Sequence, residues 1–543
     1  MTAKNIFTYQ TRCATVPAQA AALDAYAALY GEAERSLFAA LRAGGEMNAL
    51  KKSFQVRFGI SARQFNALRV GLDGKIAAIT ERRPELIAEA QTRLRKAKKV
   101  IANLEKKAPG TLKLHYKKRR LHQLQTRTAS LVADEKAGTT RLCFGSKKLF
   151  RAQFALEANG YADHAQWQED WRRARSVQFF VLGSQDEMAG CGECQAIECT
   201  DGSLALQLRL PNALAAHGAY LTFPNIRFAY GHATIVAALR GSQRVCALTK
   251  KGKPTIKRIG TALSYRFVRD QKGWRILVSV DVPPPPTVSN RMLGAIGVDN
   301  NADHLAVAVT DRFGNLIDTG RIDINTVGKT TMQNTARMGQ VAVTLVEQAK
   351  DAGKPIVMER LDFQKKKAEL EKTHPRYARM LSSFAYNKLA TCIKAAAFRA
   401  GVDVIEVNPA FTSVIGAINF AQRFGISVHQ SAAYAIARRG LGLSERPTAQ
   451  GVTTPVRNGD HVTFALPVRN RAKHVWSQWS AIRTRLKAAH TAHSRSGAEK
   501  SAPQPLSPTR LLTPCSTWVL PARFRRANRE LHCSAHVWPD VPF

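Results

Sequence analysis

The chain has 543 residues, 45% of them hydrophobic, too many for one ordinary core and apolar enough for roughly two to four folded domains. Its 81 Lys and Arg stand against 40 Asp and Glu, a formal net charge of +41, which points to a polyanionic partner, nucleic acid before a membrane surface, held with steep salt dependence. No apolar run reaches the roughly eighteen residues of a membrane span, MTAKNIFTYQTRC lacks a signal peptide's apolar core, and nine cysteines without framework spacing predict reduced thiols in a cytoplasm.

Residues 5–16 (NIFTYQTRCATV) alternate as a strand does, and residues 17–43 and 61–104 carry apolar residues at helical spacing, with Pro84 as a break or a helix start. From Arg93 to Arg127 the helical pattern turns basic, and Pro109-Gly110 divides it into a hairpin. There Lys117, Lys118, Arg119 and Arg120 sit beside Tyr116 and His122, cations for phosphates with an aromatic to stack on a base. Residues 141–282 change to strand-like runs (RLCFGSKKLF, FFVLGS, LALQLRLP, YLTFPNIRFAYG, LSYRFVRD, GWRILVSVDV), a β-rich domain joined to the first strand (1–16) across a helical insert (17–140). Cys191, Cys194 and Cys199 look like part of a zinc site, but four ligands are needed and no second pair follows, so no zinc is expected. No P-loop or Gly-rich dinucleotide loop is present.

Pro283 to Pro286 is an extended run that opens a linker over 283–293. Beyond it, Ala295–Val298, His304–Val309 and Leu316–Ile322 read as a three-stranded meander with turns at 300–303 and 312–315. Asp299 ends the first strand. A carboxylate there either caps a turn or has a cation or hydrogen-bonding partner. A helix over 330–352 leads to a short strand, Ile356–Met358, that again ends on a carboxylate, Glu359. A basic segment follows, DFQKKKAELEKTHPRYARM, then a helix over 382–400, a strand over 402–407 and a helix with His429 in its first turn. Three strands, helix, strand, helix, strand, helix is the element order of the RNase H-like fold. Metal-dependent phosphodiester cleavage needs carboxylates from distant segments to converge, and the first and fourth strands of such a sheet are neighbours. The fold class expected is thus multidomain α+β and α/β.

The last domain, 294–447, resembles the RuvC-type nuclease domain of the OrfB/TnpB proteins of insertion sequences, a family related to type V CRISPR effectors. GVDNNADHLAVAVTD matches its first motif and IVMERLDF its second; VIEVNPAFTSVIG and SVHQSAAYAIA resemble the approach to its third motif and the motif itself. The upstream layout is similar to the family's β-rich wedge domain interrupted by a helical recognition insert, and the likeness covers roughly residues 5–480. It implies a bacterial RNA-guided DNA endonuclease in which Asp299, Glu359 and His429 hold Mg²⁺ or Mn²⁺. Guide RNA and target DNA are the implied partners, and Arg360, Lys365, Lys366 and Lys367 would attract the scissile strand. Two departures stand out. His429 occupies the place of the family's third acid, and Thr412 to His429 contains no cysteine where the family carries two zinc-binding pairs. The alternatives are a nuclease-weakened or nuclease-dead guided DNA-binding protein and a transposition accessory factor. A DDE transposase on the same fold would present other acids on these elements. Residues 448–489, with Trp476 and Trp479, read as an extension of the nuclease domain. Residues 490–543, rich in Ser, Pro, Arg and Thr, read as a disordered basic tail in which RRANRELH adds a phosphate contact.

Overall fold

The computed structural model describes residues 5–248, 254–301, 303–325, 328–360, 383–447, 451–455 and 460–498. The chain divides into two units, Met1–Pro283 and Pro284–Phe543. Among the described residues no helix is long and apolar enough to cross a membrane.

The first unit runs β1 (Ile6–Arg12), α1 (Pro17–Arg42), α2 (Met47–Phe58), α3 (Ala62–Lys107), α4 (Leu112–Lys136), α5 (Lys147–Ala152), α6 (His164–Ala174) and β2 (Gln178–Val181). There follow β3 (Cys194–Glu198), β4 (Leu204–Arg209), β5 (Tyr220–Ile226), α7 (His232–Arg240), β6 (Gln243–Leu248), β7 (Pro254–Ile259), β8 (Leu263–Asp270) and β9 (Gly273–Asp281). The sheet β1-β9-β8-β2 joins the first strand to the last across the helices. Alternation explains β9: Trp274, Ile276, Val278 and Val280 are buried and their neighbours are not. Phe179 stacks between Phe267, at 4.7 Å, and Tyr26 of α1, at 4.1 Å, so helix and sheet share one core.

Two local expectations are corrected. Pro84 neither breaks nor starts a helix but lies inside α3. The backbone hydrogen bond a proline loses is offset by tertiary ties, since Arg83 next to it donates to the carbonyls of Asp134 and Thr139 at 2.8 and 2.6 Å. The strand-like RLCFGSKKLF ends instead in α5, because Ser146 caps a helix by accepting from the Leu149 amide at 3.0 Å. Cys191 and Cys194 are buried in the core, and burial pushes their thiols up, Cys191 to about 12.

The second unit runs β10 (Ala295–Asn300), β11 (His304–Thr310), β12 (Leu316–Asp323), α8 (Thr331–Asp351), β13 (Ile356–Glu359), α9 (Ser383–Ala400) and β14 (Val404–Val407). A composite helix α10 follows, made of Thr412–Ile415, a π-helical Gly416–Ala421 and Gln422–Phe424, then α11 (Val428–Gly440), the hairpin β15 (Gly451–Pro455) and β16 (His461–Ala465), and α12 (Val475–Ala498). The sheet order is β12-β11-β10-β13-β14, antiparallel over the first three strands and parallel from β10 through β13 to β14. Ile296 and Val298 of β10 join the core that includes Val341 and Leu345 of α8 and Ile393 of α9. On the opposite face Ala306, Ala308 and Val357 pack with α11. A central strand covered on both faces has to be apolar throughout, as AIGV is. Residues 490–498, expected to open a tail, lie instead in α12, which continues to Ala498, and the rest of that stretch lies outside the described residues.

Candidate functional site

The parallel register pairs Val298 of β10 with Met358 of β13, so the next residues, Asp299 and Glu359, are level with each other. Both share the α11 side of the sheet. Side chains alternate along a strand, and the same-parity neighbours Gly297 and Val357 meet Ala433 and Gly440 of α11. Two carboxylates from segments sixty positions apart thus end adjacent strands on one face.

Each carboxylate is engaged. Asp299 Oδ2 accepts from Asn301 Nδ2 at 3.0 Å and lies 3.2 Å from His429 Nδ1. Asp299 is 13% and His429 52% exposed, so the imidazole is the solvent side of the pair. Ser427 places the histidine by capping α11, its hydroxyl accepting from the Gln430 amide while its own amide donates to the Gln430 side chain. Glu359 accepts the hydroxyl of the buried Thr412. Thr412 opens α10 directly after Phe411, which holds a left-handed φ of +64°. Arg439 of α11 donates to the carbonyls of Asn408 and Ala410, fixing the turn that presents Thr412. Burial lowers the Arg439 pKa, while the charges of Glu359 and Glu445 oppose the shift.

A second histidine, which the sequence reading did not select, stands behind the first. His304, buried at the start of β11, packs edge-on against His429 with ring centroids 5.2 Å apart, and its Nδ1 lies 2.8 Å from Asp303 Oδ1. Burial raises the Asp303 carboxyl, but the hydrogen bond and charge of His304, with Arg321, outweigh this and hold it below its ordinary value. The only signal in the sequence was the Asp-His pair inside the turn NNADHL.

Two carboxylates and an imidazole are donors that suit Mn²⁺ and, through the oxygens, Mg²⁺. Their placement is that of engaged pairs: among the described residues no group of three or more His, Cys, Asp and Glu side chains is arranged to hold a metal ion. Arg360 is exposed, and its amide donates to Val407 O at 2.8 Å, extending the β13–β14 ladder past Glu359. Lys365, Lys366 and Lys367 lie outside the described residues. In the first unit, Lys117, Lys118, Arg119 and Arg120 line α4, and Lys118 pairs with Glu105 of α3 at 2.8 Å. Trp479 is buried and donates to Glu445 O at 3.2 Å, whereas Trp476 remains 41% exposed.

No family model matches the chain, and no curated protein matches it. Among solved structures it is similar to Thermus thermophilus RuvC in complex with a Holliday junction substrate, at 15% identity over 27% of this chain and 90% of that one, TM-score 0.21. It is similar to the T. thermophilus RuvC structure at 14% identity, over 26% and 90% of the two chains, TM-score 0.20. It is also similar to Cas12f1 in a complex with sgRNA and target DNA, at 12% identity over 66% and 94%, TM-score 0.20.

Proposed function

We propose that the second unit is an RNase H-like, RuvC-type nuclease domain that hydrolyses DNA phosphodiesters, in an RNA-guided protein of the OrfB/TnpB kind. The observation that carries this reading is the β10–β13 register: in a five-stranded sheet of this order it sets Asp299 level with Glu359, facing the helix that bears His429. A formal charge of +41 supports nucleic acid as the partner. Asp299 and Glu359 would hold a divalent cation, Mg²⁺ or Mn²⁺, with His429 as the third donor. Such an ion, when bound, supplies an activated water and charge stabilisation at the leaving oxygen. The chain's own residues orient the donors: Asn301 and Thr412 aim the two carboxylates, Arg439 steadies the turn under Thr412, and His304 backs the imidazole of His429. Arg360 and the lysines at 365–367 draw the scissile strand toward the carboxylates. The helical insert and the β-rich wedge of the first unit bind the guide RNA, whose pairing reads the target.

The test is the protein co-expressed with its flanking DNA, purified with its RNA, and compared with Asp299→Ala. Cleavage of matched DNA is lost in the variant, Mn²⁺ bound per chain falls in paramagnetic resonance titrations, and RNA content is unchanged. Equal cleavage by both proteins, or loss of the RNA with Asp299, would refute the assignment. RNA-dependent retention of target DNA without cutting by the wild type would instead mark a guided binding protein.

A further inference from the structure

The loop before α5, together with α5, α6 and Arg35 of α1, encloses a cleft of about 850 Å³, within the ~300–1,000 Å³ typical of small-ligand sites. Aromatic and cationic side chains make up most of its lining, with Leu142 and Cys143. Phe144, Phe150, Phe154 and Trp171 supply rings; Arg35, Arg141, Lys147, Arg151 and Arg175 supply positive charge, and no carboxylate is among the lining residues. Such rings usually finish in a core, yet Phe150 is 45% and Phe154 77% exposed.

The aromatic wall is held from behind. Trp167 stacks on Trp171 at 5.9 Å and is itself anchored by its indole N–H donating to Leu149 O at 2.8 Å. Phe150 meets Trp171 at 5.7 Å and Phe154 at 6.2 Å. Gly145, at φ +90°, lets the indole lie against the backbone, since a Cβ there would stand 2.9 Å from the Trp171 ring. In the cationic wall, Arg141 pairs with Asp134 at 2.9 Å. Arg35 Nη1 is buried without a hydrogen-bond partner. Burial lowers the pKa of Arg35, against the charges of Glu32 and Glu34, and lowers that of Arg175, where the charges of Arg35 and Arg172 add to it. Arg175 lies over the Trp171 ring at 5.0 Å, with its Nε donating to Trp171 O at 3.1 Å. An anion seated here would relieve the crowded guanidinium groups, and a flat ring beside it would cover the exposed phenyls. A ligand with both parts joined is a nucleotide. The cleft has the composition of a single-strand site, in which stacking rings alternate with backbone-binding cations.

We propose that this cleft binds one unpaired nucleotide of a single-stranded segment, with the base against Phe150 and Phe154 and its phosphates on Arg35, Lys147 and Arg151. The site does not depend on the nuclease reading and stands whether or not the second unit cuts DNA. The test uses the full chain with ribo- and deoxyribo-hexanucleotides carrying one 2-aminopurine. Stacking quenches the fluorescent base, and its titration gives Kd. Phe154→Ala removes an exposed ring and Arg151→Glu reverses an exposed charge, so both variants keep the circular dichroism of the wild type. The expected result is quenching with the wild type, most of it lost in Phe154→Ala, and affinity about tenfold weaker in each variant. Tighter binding of one sugar assigns the source, RNA or DNA. No quenching, or quenching and Kd unchanged in Phe154→Ala, would overturn the proposal. Weakening by Arg151→Glu alone would overturn it too, leaving a charged surface without a base site.

Discussion

The position of His429 rests on a glycine two residues before Asp299, and Gly297→Ala tests this. A Cβ at Gly297 would stand 2.0 Å from Ala433 O and 2.6 Å from Ala437 N, both backbone atoms of α11. Ordinary van der Waals contact begins at 3.4 Å, so the helix must retreat by about 1.4 Å or the strand must bend by as much. Overpacking costs about 1–3 kcal/mol, and an obstacle made of backbone rather than a flexible side chain puts this variant near 3 kcal/mol. A two-unit chain has no single unfolding free energy, so the assay is hydrogen–deuterium exchange read on peptides spanning residues 428–440. Their protection should fall about a hundredfold, the equivalent of roughly 3 kcal/mol in the local opening equilibrium. The contact between His429 Nδ1 and Asp299 Oδ2, now 3.2 Å, would pass beyond hydrogen-bonding range in the same movement. Gly339→Ala is the control. It lies inside α8 with nothing within 4 Å of its Cβ direction, so alanine there should raise stability by about 0.5–1 kcal/mol. Exchange at 428–440 in Gly297→Ala within about threefold of wild type would refute the close-approach argument.

Thr412→Val leaves Glu359 without the hydroxyl that it accepts; losing a charge-assisted bond at a buried site should cost about 1.5–3 kcal/mol of local stability, read as faster exchange over residues 404–424, and slow exchange there would count against it. The Arg12 guanidinium holds the Asp270 carboxyl, whose ordinary value is 3.8, down to about 2 through a two-pronged hydrogen bond at 2.7 and 2.9 Å, with a smaller opposing push from burial and help from the Lys272 amide and Arg275. A depressed carboxyl contributes stability that is fully present above its unfolded value and lost as pH falls through the folded one. Arg12→Ala should therefore lower the melting temperature at pH 6, and the gap from wild type should close between about pH 4 and pH 2; a gap constant with pH would show that Arg12 acts only by packing. Replacing Lys117, Lys118, Arg119 and Arg120 with Gln should flatten the dependence of log K on log salt for single-stranded RNA by about 2, at ~0.7 per phosphate, because Lys118 already pairs with Glu105; an unchanged slope would take this face of α4 out of the binding surface.

What could be read without coordinates follows from which forces are local. The run AIGV and the turn NNAD identify β10 by composition alone, and IVME stands out for the same reason, as a short apolar run closed by a carboxylate. Their pairing was legible from the order of elements. Local pattern misleads in two places: a tertiary tie from Arg83 accompanies the passage of α3 through Pro84, and a local cap at Ser146 turns an aromatic, strand-like segment into α5. The same turn brings Phe150 and Phe154 to the cleft beside Trp171, an arrangement no spacing in the sequence encodes. The π-helical Gly416–Ala421 has no counterpart among the predicted elements, because its period differs from that of an α-helix. His304 is not legible in the sequence as a site residue, because one histidine at the head of an apolar strand carries no periodic signal. Its relation to His429, 125 positions later, depends on how closely α11 lies against the sheet and against α10, where three glycines allow close approach. Gly297 admits the Ala433 carbonyl, Gly440 admits the Val357 methyls, and Gly416 admits the Ser431 backbone. The imidazole of His429 is therefore held from two sides. Its ring reaches the Asp299 carboxylate at 3.2 Å and packs edge-on against His304. Whether that orientation serves a cation is a question about the depth of α11, which Gly297→Ala changes without altering any donor atom.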